Sequence, residues 1–142
     1  MRISQELRTN LLSELEFAIL KMREEPDIAK KIYFFSATYG AVERTMRLCL
    51  DNELIIAHAL LTICYNSINE RISRMKMGDN TVSLPQDFFE RLVAGVSSFR
   101  QAIEQDDSIY PSLETITLLT YLTTGPGFYT HSYLDYVNSR RP

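Results

Sequence analysis

The sequence predicts an all-α fold: an antiparallel bundle of four long helices followed by two short C-terminal ones. Three observations carry this expectation. Apolar residues recur at steps of three and four through most of the chain. Gly and Pro number only five each in 142 residues, too few for the turns of a β-sandwich. The periodic segments are separated by short stretches of turn chemistry, which makes consecutive helices antiparallel neighbours.

The first helix is expected over 3–24, where Ile3, Leu7, Leu11, Leu15, Ile19 and Met22 share a face. Glu25-Pro26-Asp27 ends it, because proline cannot continue a helix interior. Pro26 is expected to open the second helix, where a missing N–H costs nothing. Ile28, Ile32, Phe35, Tyr39, Val42, Met46 and Cys49 form its stripe, the most regular in the chain. Asp51-Asn52 reverses the direction and supplies a cap for a third helix over about 53–77.

Between Leu54 and Tyr65 only His58 and Thr62 are polar. A helix apolar on all sides is normally central, so the first half of helix three is expected in the middle of the bundle. Gly78-Asp79-Asn80-Thr81 stops it. Ser83-Leu84-Pro85 is read as the start of a fourth helix with Phe88, Leu92, Val96, Phe99 and Ile103 on its face. A fifth helix is expected from Pro111-Ser112, with Ile116, Leu119 and Leu122 at spacing three. The β-branched residues among 115–124 leave a strand as the alternative there, weakened by the lack of a partner strand. Gly125-Pro126-Gly127 breaks the chain before a last short helix from Phe128 to about Asn138, and 139–142 is a loose tail.

The whole of 1–142 is read as a single domain, with no repeat or long linker. Hydrophobic residues make up 45% and charged ones 23%, ordinary for a folded protein. A net charge of 15 − 18 = −3 argues against nucleic-acid binding by the domain as a whole. The charged N-terminus lacks a signal-peptide core and no run approaches a membrane span, so a cytoplasmic protein is expected, with no membrane partner. Cys49 and Cys64 have no metal-type spacing and are too far apart along a hairpin for a disulfide. Both are expected as buried free thiols.

No catalytic constellation emerges. A dinuclear metal site in a bundle needs Glu-x-x-His pairs, yet Ile55 precedes His58 by three and Phe128 precedes His131 by three. No GxSxG elbow or phosphate-cradling glycine loop is present. In length and helix count the chain is similar to the HEPN bundles, whose active members carry Arg four to six residues before His. No Arg stands at that distance before His58 or His131, so the resemblance brings no catalytic residue with it. No metal and no cofactor are therefore expected.

Three features remain as candidate sites. His58, Thr62, Asn66, Asn69 and Ser73 form an uncharged polar stripe on helix three; with Tyr39 and Tyr65, its first members His58, Thr62 and Asn66 are the candidates for a ligand pocket. Gly40 stands in a charge-free run of helix two, Ile32 to Val42, and its helix-propensity cost suggests that another backbone approaches it. Residues 108–139 hold only Glu114 and Asp135 as charged groups, together with five of the eight tyrosines, including Tyr121, Tyr129, Tyr133 and Tyr136. Tyrosine suits interfaces because it pairs an apolar body with a polar tip. The expected function is a non-enzymatic interaction module that self-associates, most simply as a homodimer. The alternative is a small-molecule-binding or enzymatic bundle with its pocket near His58.

Overall fold

A computed structural model describes residues 1–124 and 136–140. Five helices span Gln5–Glu24 (α1), Ile28–Cys49 (α2), Asn52–Lys76 (α3), Phe88–Glu104 (α4) and Tyr110–Thr124 (α5), and 136–139 form a helical turn. The fold is all-α, as the periodicity predicts.

Helix starts follow local chemistry. Ser4 caps α1 by accepting from the Leu7 backbone N–H, and Asp51 caps α3 by accepting from those of Glu53 and Leu54. Pro26 lies outside α2, not in its first turn: Asp27 takes the N-cap position and Ile28 the first helical one. Pro85 likewise does not open α4. Its carbonyl accepts from the Phe88 N–H in a turn, and Asp87 occupies the N-cap. Residues 110–124 are helix rather than strand, and Thr115, Thr120 and Thr124 return their hydroxyls to carbonyls four residues back, Pro111, Ile116 and Thr120. The hydroxyl bond satisfies threonine inside the helix, which its β propensity alone would disfavour.

α3 ends on Gly78 at φ 89°, the left-handed geometry glycine takes without cost. α2 makes the same kind of exit with Leu50 at φ 49°, where a Cβ is strained, and Leu50 is 75% exposed. Leu50→Gly is therefore expected to raise stability by about 1 kcal/mol, since it relieves strain and removes no packing. Urea denaturation of the variant against Leu50→Ala, which keeps the strain, measures the gain; equal midpoints would show that the strain is absent.

The helices close into a ring in the order α1–α2–α3–α5–α4, and α4 returns to α1. Arg8 of α1 donates to the Ile103 carbonyl near the end of α4, and Arg100 of α4 donates to the Leu12 carbonyl at 3.1 Å, so these two helices are antiparallel. α2 and α3 are also antiparallel, with Asp27 meeting Lys76 at 2.7 Å at one end. α3 and α4 are not ring neighbours, as a simple up-and-down order would make them; α5 stands between them and runs parallel to α3.

Phe35, Phe88, Phe99, Leu11, Leu15, Leu54, Leu61 and Leu92 fill the interior of the ring. Each helix has two neighbours and one outward face. α3 is thus a wall and not a centre, contrary to the sequence expectation: Leu54, Ala57, Leu61, Cys64 and Ile68 point inward, while Ile55, Ile56 and Ile63 are exposed. Both cysteines are free. Cys64 is buried, and that burial pushes its thiol pKa up, but Cys49 is only half-buried. Among the described residues, no helix is long and apolar enough to cross a membrane.

Candidate interaction surface

The seam between α2 and α3 brings three of the pocket candidates together. Tyr39 lies edge-on to His58 with ring centroids 6.3 Å apart, and tilts against Tyr65 at 5.2 Å. Those separations are ordinary for packed aromatic pairs, so the rings occupy the space between themselves. Burial, then the neighbouring Tyr65 and Glu43, push the Tyr39 hydroxyl pKa up from its ordinary value. Thr62 is half-buried at a neighbouring position of the same helix, and its hydroxyl oxygen is sequestered without a protein partner. Asn66 is exposed. Among the described residues no group of three or more His, Cys, Asp or Glu side chains could hold a metal ion.

Gly40 is half-buried, and a Cβ built there would meet only the Arg44 guanidinium at 3.5 Å, an ordinary contact. No atom of another helix among the described residues lies within 4 Å of that Cβ position. The close approach lies instead at Gly95 of α4, where a Cβ would stand 2.7 Å from Ile116 Cγ1 of α5. Nothing in the sequence pattern distinguishes these two helical glycines, because propensity reports the cost of a glycine and not its neighbour.

Of the candidate tyrosines, Tyr121 is 54% exposed on α5, and Tyr136 is exposed with the Arg140 guanidinium 5.2 Å over its ring. Tyr129 and Tyr133 lie outside the described residues, as does His131.

Around Tyr121 the structure adds residues that the spacing argument misplaces. Ile116, Leu119 and Leu122 look like one face at spacing three, but each such step turns 300°, so two steps drift about 120°. The buried row of α5 instead runs through Ser112, Ile116 and Thr120 at spacing four. Leu118 and Leu122 point outward, 50% and 78% exposed. With Glu114 they form an i, i+4, i+8 row, and Glu114 is the sole charged residue of α5. The signal available in the sequence was the charge depletion itself.

Beside this row, α4 and α5 enclose an open groove of about 510 Å³. Gly95 and Leu119 line its depth, Leu118 and Leu122 one rim, and Ser98 and Arg91 the other. Among the described residues, Arg91 is the only charged one lining it. Asp87 sits 3.5 Å from the Arg91 Nε, too long for a good hydrogen bond, so the guanidinium retains donors for another acceptor. On the other flank of α5, α3 presents Ile56 and Ile63.

This arrangement can offer apolar area with one cation and one carboxylate at defined places. Among the described residues it assembles no nucleophile, base and orienting acid. Comparison of the chain with protein-family models, with curated proteins and with solved structures finds no match in any of the three, so the likeness to HEPN bundles stays one of length and helix count.

Proposed function

We propose that this chain is a non-enzymatic helical interaction module that pairs with a second copy of itself through the outer faces of α5 and α3. One observation carries the reading: Leu118, Tyr121 and Leu122 are at least half exposed on a helix whose only charge is Glu114. Apolar groups gathered on one outward face, with little charge among them, mark an interaction site more often than a solvated surface. A stable interface takes roughly 20–30 residues from each side, more than α5 alone can supply. Ile56 and Ile63 on the adjoining helix extend the surface. A twofold homodimer is the simplest assembly that covers the same face on both copies. The two free thiols support a reducing, cytoplasmic setting.

A second reading has one observation in its favour. The α4–α5 groove falls in the roughly 300–1,000 Å³ range of small-molecule sites, so a bound small molecule is the alternative.

Native mass spectrometry and sedimentation of the protein and of Leu122→Arg separate these. The unaltered chain is expected at twice 16.4 kDa without added mass. Leu122→Arg is expected to be monomeric, with an unchanged melting temperature at low protein concentration where association does not contribute, because an exposed position contributes within about 0.5 kcal/mol to the fold. A wild-type chain that stays at 16.4 kDa up to submillimolar concentration ends the self-association reading. A reproducible added mass shifts the groove to a ligand site.

A further inference from the structure

We infer that the two copies dock α5 against α5 in antiparallel register about Leu118, so that Glu114 of each is held by the partner's Arg91. This rests on the self-association proposed above and specifies its geometry and its electrostatics.

The placement of two charges points to it. α5 carries a single charge, Glu114, near its start. Among the described residues, the groove beside it also carries a single charge, Arg91. α4 and α5 are antiparallel, with Gly95 against Ile116, so the turn of α4 that holds Arg91 lies beside the last turns of α5. The carboxylate and the cation therefore belong to opposite ends of one apolar face. Leu118 lies midway, four residues from Glu114 and four from Leu122, or about 6 Å each way at 1.5 Å per residue.

A twofold axis through Leu118 and perpendicular to α5 sets each Glu114 opposite the partner's Leu122, whose groove contains Arg91. Because the interface is isologous, the pair forms twice. Leu122 of each copy then covers the stretch of α5 around the partner's Glu114, and Leu118 meets its own counterpart on the axis. A parallel arrangement would place Glu114 against Glu114 and bring no partner carboxylate to either arginine, which would keep only the long contact to its own Asp87. Opposite charges at fixed points of an apolar face select between such arrangements by penalising the wrong one. Both residues are exposed in the single chain, so changing either leaves the core intact.

Charge reversal tests this on the full chain, with dimer dissociation constants read by sedimentation and folding checked by circular dichroism. Glu114→Arg and Arg91→Glu are each expected to weaken the dimer about 100-fold, because each creates two like-charge contacts per dimer. The double variant Glu114→Arg/Arg91→Glu restores both pairs and is expected within about fivefold of the original affinity. A wild-type dimer whose affinity ignores the single reversals overturns the antiparallel docking and leaves self-association standing. Single variants that weaken the dimer without rescue in the double variant overturn it as well. A wild-type chain that is monomeric throughout removes both readings together.

Discussion

Gly95→Val is expected to cost about 3 kcal/mol of folding stability, the upper end for overpacking a well-filled interior. The Cβ alone would lie 2.7 Å from Ile116 Cγ1, a separation carbon atoms do not tolerate. Cγ1 is the inner branch of that side chain, so it cannot swing clear without changing rotamer or moving α5. Valine adds two methyl groups to the same gap. Gly95→Ala sets the clash against a gain of up to about 1 kcal/mol in helix propensity, and a smaller net loss, about 1 kcal/mol, is expected. The diagnostic experiment is a double-mutant cycle by urea denaturation. In an Ile116→Ala background the obstructing atom is gone, so Gly95→Ala should become neutral or stabilising. An unchanged midpoint for Gly95→Val would mean that α4 and α5 are not in close contact, and the groove between them would lose its floor.

That contact also marks where sequence patterns stop being informative. Caps and reversals depend on a few neighbouring atoms, and two were legible: Asp51 accepts from the Glu53 and Leu54 backbone N–H groups, and Gly78 takes the left-handed turn. The prolines were not, since Pro26 and Pro85 both lie outside the helices they were expected to open. The inward rows of α1 and α4 were largely legible because each of those helices has one broad buried stripe. On α2, Ile32, Phe35 and Val42 are buried as expected, but the buried row also runs through Thr38, Ala41 and Thr45, and Ile28, Tyr39, Met46 and Cys49 are only half-buried. Which glycine receives a neighbouring helix depends on which helices are neighbours, and spacing does not encode that. The sequence therefore singled out Gly40, while the close contact falls at Gly95, which the spacing gave no reason to name. α5 was legible as a helix but not in its rotation, since isoleucine, leucine and threonine surround its axis. Of the pocket candidates, Tyr39, His58 and Tyr65 do meet, because a regular antiparallel pair of helices brings those positions level.

The misplacement of α3 carries the most physical content. Its apolar character on all sides was read as burial among helices of the same chain. Among the described residues the ring has no central helix, so the same isoleucines reach the surface instead. The two views make different demands on a pair of residues two positions apart. Leu61 is 0% exposed and Ile63 is 61% exposed. Leu61→Ala should cost about 3 kcal/mol, the transfer term plus a cavity inside a ring that cannot collapse around it. Ile63→Ala should cost no more than about 0.5 kcal/mol in the isolated chain, since its side chain meets water on most of its surface. A central α3 would make both substitutions comparably damaging. Thermal and urea unfolding at low protein concentration, where association does not contribute, read the single-chain values. Repeating the Ile63→Ala measurement at high concentration adds the decisive contrast. If a second copy covers this face, the stability of the unaltered chain rises with concentration by mass action, and the rise is smaller for the variant. Should Ile63→Ala cost as much as Leu61→Ala when dilute, α3 is covered within the single chain and the outward face proposed for pairing does not exist.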